Sequence, residues 1–165
     1  MTAIFAVNAA TVSAATTVPN TQVLAIQSKD MRVVALQNVL ERYNSPLAPY
    51  AAYYIEEADK NEMDWRLLPA IAGLESSFGL HQMPGSHNSY GWGGGHIYFE
   101  SVEDGITTVL GALKTKYASR GATTVESIAP IYSESPTWAP RIRFFMNKIE
   151  AEYARLGMHS LELTI

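Results

Sequence analysis

Leu67-Leu68-Pro69-Ala70-Ile71-Ala72-Gly73-Leu74-Glu75-Ser76-Ser77-Phe78-Gly79 is apolar from Leu67 to Leu74 and then meets a carboxylate. Leu67, Leu68, Ile71 and Ala72 recur at helical spacing, with Glu75 in register. The stretch therefore predicts a helix capped by Asp64 and stopped at Gly79. Pro69 stands early in it, which predicts a start one or two residues later. Glu75 borders the apolar stripe and occupies the last turn, where the helix dipole is negative. Both effects favour a protonated carboxyl, the state a general acid needs. The spacing alone also fits a Glu on a solvated helix edge. The next acidic residue is Glu100, beyond a segment rich in Gly, His, Ser and aromatic residues.

Residues 30–43 carry Val33, Val34, Leu36, Val39 and Leu40 as the apolar stripe of a first helix. Asn44-Ser45-Pro46 ends it and starts a second, with Ser45 as cap and Pro46 at the first position. Its apolar side takes in Leu47, Tyr50, Ala51, Tyr54 and Ala58, and Asp59-Lys60-Asn61 closes it. Residues 80–98 lose the helical period, and Pro84, Gly85, Gly91, Gly93, Gly94 and Gly95 predict a loop or small hairpin. Ser101 with Asp104 forms a capping-box pattern for a helix carrying Ile106, Val109, Leu110, Leu113 and Tyr117, ended by Gly121. Thr123 with Glu126 repeats the signal for a short helix through Ile128 to Tyr132. Thr137 then caps a last helix with Ile142, Phe145, Met146, Ile149 and Tyr153 in register, closed by Gly157. The expectation is a mainly α single domain of about six helices with one Gly-rich insert.

Composition narrows the partners. The 165 residues, 47% hydrophobic and 10% aromatic, suit one globular domain with its own core. Net charge is −4, from 12 basic and 16 acidic residues without a basic cluster, which argues against nucleic acid and anionic membrane surfaces. A neutral or polar ligand such as a glycan is compatible with that balance. The absence of Cys removes disulfides, thiolate metal sites and Cys nucleophiles without settling the compartment. No apolar run reaches the ~18 residues of a membrane span, so no transmembrane segment is expected. His81, His87 and His96 are six and nine residues apart with no acidic residue or Cys near them, so no metal site is expected. Nor does any motif call for a cofactor. Residues 1–28 carry no charged side chain and read either as the remnant of an export signal, lacking its basic start, or as a flexible leader. The domain is expected over residues 29–158, with residues 159–165 as a tail.

Four segments carry a family resemblance. Ala70-Ile71-Ala72-Gly73-Leu74-Glu75-Ser76-Ser77-Phe78-Gly79 resembles the catalytic-glutamate segment of the lysozyme superfamily, as found in lytic transglycosylases and bacterial glucosaminidases. Asn88-Ser89-Tyr90-Gly91-Trp92-Gly93 is similar to the Asn-x-Phe-Gly loop of the glucosaminidases. Phe99-Glu100-Ser101-Val102-Glu103-Asp104-Gly105-Ile106 resembles the segment that opens their next helix. Ile131-Tyr132-Ser133-Glu134-Ser135-Pro136-Thr137-Trp138-Ala139 resembles their Tyr-containing stretch before a closing helix. The four occur in the family's order over residues 45–152.

The resemblance implies a lysozyme-like α+β fold, with a cleft between a helical lobe and the Gly-rich loop. It implies a peptidoglycan strand of alternating N-acetylglucosamine and N-acetylmuramic acid in that cleft, and work outside the cytoplasm: extracellular, periplasmic or at the cell wall. Glu75 would protonate the glycosidic oxygen, and Tyr132 matches the family's active-site tyrosine. Asn88, Tyr90, Gly91 and Trp92 would line the floor, and Ser76 and Ser77 match the serine after the acid. The residues themselves leave other roles open: a packed Tyr132, a Trp92 plug beneath the loop, and a helix-end polar pair for the serines. Trp138 reads as packing.

Glycoside hydrolysis usually employs two carboxylates. The segment from Ser76 to Phe99 has none, whereas some glucosaminidases carry a second Glu in their hairpin. Glu100, Glu103 and Asp104 are the nearest candidates, and helix capping accounts for acidic residues there. A lone acid fits substrate assistance, in which the 2-acetamido oxygen attacks the anomeric carbon and Glu75 acts first as acid, then as base. The family's two outcomes, hydrolysis and a 1,6-anhydro muramyl end, both stay open; the Gly-Leu-Met-Gln stretch of lytic transglycosylases is absent. Two rival expectations come from other classes: a catalytically silent glycan-binding or wall-tethering module, and a structural cap for an envelope complex.

Overall fold

The computed structural model describes the backbone of residues 20–162 and the side chains of residues 31–158. Six helices form: α1 (Asn20–Arg42), α2 (Ala51–Lys60), α3 (Leu67–Ser76), α4 (Val102–Ala112), α5 (Val125–Tyr132) and α6 (Trp138–Glu162). The fold is mainly α, with no strand among the described residues. Of the expected loop or small hairpin, the loop is what forms. None of the described helices is long and apolar enough to cross a membrane.

The long helices α1 and α6 pack along each other, and α6 also covers α3. Leu36 and Leu40 from α1, Tyr54 and Ile55 from α2, Leu68 and Ile71 from α3, Ile106 and Leu110 from α4, Ile128 from α5 and Ile142 from α6 meet in one buried core. α3 is the central helix: every residue from Leu67 to Gly73 is buried, as is Ser76. A helix apolar on all sides belongs inside, and its last turn is where it reaches solvent. Pro69 causes no discomfort there, because it is the third residue of α3, where the backbone N–H has no helical partner to lose. The helix starts after a turn in which Asp64 Oδ1 accepts from the Arg66 N–H.

Several boundaries move. α1 begins at Asn20, ahead of the expected residue 30, because Gln22, Leu24, Ala25 and Gln27 are adequate helix formers even without charge. Residues 20–28 of the expected leader or signal remnant thus fall within α1, and residues 1–19 lie outside the described residues. α6 runs through Gly157 to Glu162; the ~1 kcal/mol that a helical Gly costs does not end a helix packed along a partner. Of the expected tail, residues 163–165 lie outside the described residues. Ser45 caps only a turn, accepting from the Leu47 N–H at 3.0 Å, and α2 starts after the short helical turn Ala48–Tyr50. The box of α5 sits one residue later than expected: Thr124 Oγ1 accepts from the Ser127 N–H, and Ser127 Oγ from the Thr124 N–H. At α4 Ser101 Oγ accepts from the Asp104 N–H as expected, while Asp104 reaches back one residue further, to the Glu100 N–H. Gly121, at φ 84°, ends the following turns as expected.

One polar cluster ties α1 to α6. Glu152 is buried and accepts from Arg155 at 2.7 Å, Asn38 at 2.9 Å and Arg42 at 3.0 Å. The Arg155 hydrogen bond first, against the pull of desolvation, and then Asn38 and Arg42 hold its carboxyl down to about 2. A folded-state value below the unfolded one of ~4.3 stabilises above that range, and the contribution disappears as pH falls toward the folded value. Urea midpoints of the wild type are therefore expected to fall between pH 4.5 and 2 more steeply than those of Glu152→Gln. Equal acid slopes in the two proteins would refute the assignment.

Candidate functional site

Three consecutive left-handed residues, Ser77 (φ 50°), Phe78 (φ 58°) and Gly79 (φ 84°), reverse the chain after α3. Gly73 makes room for the reversal: a Cβ there would lie 2.7 Å from the Phe78 ring and 3.0 Å from Phe145. Phe78 fills that space and packs against Tyr43 and Phe145, with ring centroids 4.7 and 5.3 Å away. Ser76 Oγ accepts from the Gly79 N–H at 2.8 Å and places its proton within reach of Ser89 O at 2.7 Å and Ala72 O at 3.0 Å. Ser76 is buried and so clips the loop to the helix instead of meeting a ligand. Ser77 is exposed just past the helix end.

Asn88 organises the loop from within. It is buried; its Nδ2 donates to Trp92 O at 2.9 Å and Ile97 O at 3.0 Å, and its Oδ1 accepts from Trp92 N at 3.0 Å and, more loosely, Tyr90 N at 3.4 Å. All its amide valences go to loop backbone, so the expectation that it touches a glycan is replaced by a framing role. Tyr90 is fully buried and shares a 2.7 Å hydrogen bond with Tyr54, also fully buried. Burial pushes both hydroxyls well up from the ordinary tyrosine value. Its side chain anchors the loop to α2 and is not at the floor of a cleft.

Gly91, Trp92, Gly93 and Gly94, with Tyr117 and Tyr132, line an open cavity of about 340 Å³. The rings of Trp92, Tyr117 and Tyr132 lie 5.9 to 6.4 Å apart, and Tyr132 stacks on Trp138 at 5.0 Å. The Tyr132 hydroxyl donates to Tyr90 O at 2.8 Å. Burial first, then the Glu75 charge and Tyr117, push that hydroxyl far above its ordinary value.

Glu75 is not among the residues that line this cavity but lies against two that are, Gly91 and Tyr132. The Trp138 Nε1–H donates to its Oε1 at 3.0 Å. Its Oε2 lies 3.2 Å from where a Cβ on Gly91 would be, and Gly91 is left-handed at φ 63°. Only Gly takes that backbone freely and leaves the approach to the carboxylate open. The side chain is exposed, as the solvated helix edge would have it; α3 is buried but its last turn is not. The structure thus brings together Glu75, Tyr132, Gly91 and Trp92 and assigns Ser76, Asn88 and Tyr90 to the scaffold.

Glu100, Glu103 and Asp104 cluster at the start of α4 and are absent from the cavity lining. Asp104 accepts from Glu100 N and Thr108 Oγ1, which is capping work. Among the described residues no group of three His, Asp or Glu side chains is arranged to hold a metal ion. A second cavity, about 330 Å³ and lined by Leu67, Val125, Ile128 and Met146 among others, contains none of the candidate residues. Its rim charges pair off, Lys114 with Glu62 and Arg143 with Glu126.

Two residues of the site carry no local signal for it. The helical period predicts Tyr117 on the core face, but after Ala112 the helix widens into a turn of longer hydrogen bonds over Leu113–Tyr117, and the ring lines the cavity. Trp138 packs as expected, being 2% exposed, yet it also donates to Glu75. No protein-family model matches the chain, and no curated protein matches it. The site is thus a carboxylate beside an aromatic-walled cavity in a mainly α domain.

Proposed function

We propose that the protein cleaves the β-1,4 glycosidic bond between N-acetylmuramic acid and N-acetylglucosamine in peptidoglycan, outside the cytoplasm, with Glu75 as general acid and base. The observation that carries this reading is that Glu75 lies against Gly91 and Tyr132, two residues that line the aromatic cavity with Trp92, although Glu75 and Tyr132 are 57 positions apart in the chain. These are the residues on which the resemblance to the lysozyme superfamily rests. Aromatic walls suit the apolar faces of sugar rings, and the exposed glycines leave backbone N–H and C=O groups for N-acetyl and hydroxyl groups.

Among the described residues no acidic side chain lines the cavity and Glu75 lies behind Gly91, so this reading takes the substrate's own acetamide as the second group in the reaction. Its oxygen attacks the anomeric carbon as Glu75 gives a proton to the departing oxygen. Glu75 then takes a proton from water, giving hydrolysis, or from the sugar's 6-hydroxyl, giving a 1,6-anhydro end. Purified cell-wall sacculi are expected to lose turbidity with the wild type. Mass spectrometry of the fragments separates the outcomes, since anhydro ends weigh one water less. The exposure of Glu75 favours one rival, a glycan-binding module; sacculi that bind the protein and stay intact would establish it.

A further inference from the structure

The two oxygens of Glu75 have unequal surroundings. Oε1 accepts from the Trp138 indole, a side chain 2% exposed and stacked against Tyr132 at 5.0 Å and 28°. Oε2 lies beside Gly91, 3.2 Å from where a Cβ on that residue would sit, and Gly91 itself lines the cavity. Among the described residues no ion pair includes Glu75, and no further hydrogen bond reaches it. An exposed Glu with free torsions samples several rotamers, and a single donor held by a buried ring selects among them.

We infer that Trp138 is a positioning residue for Glu75: its N–H occupies Oε1 and leaves Oε2, past Gly91, as the oxygen that exchanges the proton with the ligand. The inference rests on Glu75 being the acid of the proposed reaction. The titratable group that couples to Glu75 from α5 is Tyr132, with Tyr117 beyond it; Gly91 from the loop and Trp138 from α6 carry no charge. Burial raises both tyrosine hydroxyls above their ordinary value.

The test uses Trp138→Phe, which keeps a ring on Tyr132, and an indole isostere with sulfur in place of N–H, which keeps the shape as well. The Glu75 side-chain torsions are followed by NMR couplings, and turnover of sacculi is followed as kcat and KM. The expected result is a Glu75 side chain that averages over several rotamers in both variants, with kcat about tenfold lower at unchanged KM as the acid loses its orientation. A Glu75 rotamer unchanged in the isostere overturns the inference, whatever the turnover. If the rotamer averages and the wild type leaves sacculi intact, the positioning role stands and the proposed reaction fails.

Discussion

Glu75→Gln is expected to lower kcat on peptidoglycan about 10²- to 10⁴-fold, the range typical of removing a general acid, while KM changes little. Gln keeps the shape and an oxygen that can accept from Trp138 Nε1, so the 3.0 Å contact has a substitute and the fold has no reason to change. Far-UV circular dichroism and the melting temperature should therefore match the wild type within about 1 °C, since an exposed isosteric change is worth only a few tenths of a kcal/mol. The comparison discriminates well because Glu75 does two separable things, accepting from an indole and exchanging a proton, and only the second is lost. Equal clearing of sacculi by the two proteins would remove Glu75 from the mechanism.

The second large effect is on stability. Asn88→Ala is expected to destabilise the domain by about 2–4 kcal/mol, because it strands four loop backbone groups that Asn88 now satisfies, each costing ~1–3 kcal/mol when buried and less where water can enter. For a domain of this size that corresponds to a drop in melting temperature of roughly 10 °C. Asn88→Asp separates the two halves of the network: it retains the oxygen that accepts from Tyr90 and Trp92 and loses the donors to Trp92 O and Ile97 O. An intermediate melting temperature is expected for it, and calorimetry of the three proteins provides the check. A loss below about 2 °C in Asn88→Ala would show that the loop does not depend on this side chain.

The helices were legible because their signals are local. Leu68, Ile71 and Glu75 obey a period of 3.6, Ser101 sits three residues before the N–H it accepts from, and Gly121 ends a helix for reasons of its own backbone. What stayed hidden depends on partners far along the chain. Asn88 and Trp92 look like ligand contacts in a polar, aromatic loop; only loop closure separates them, turning Asn88 inward and leaving Trp92 on the cavity. Ser76 follows the acid in sequence but is held by Ser89 and Gly79. Trp138 reads as packing because nothing in its neighbourhood says that a carboxylate from residue 75 will lie within 3.0 Å. The choice between stripe border and solvated edge for Glu75 was open for a related reason: helical periodicity places a residue on a face but does not say how far the last turn projects beyond the core.

The Tyr54–Tyr90–Tyr132 chain of hydrogen bonds links α2 to α5 through the loop between them. With Asn88 and Ser76 it means that the entropy of ordering the cavity wall is lost when the chain folds, not when a ligand arrives. A guest then meets a surface already in shape. Its association should be governed by diffusion and desolvation, and calorimetry of binding should register the surface covered without the added heat-capacity signature of a segment that folds around it.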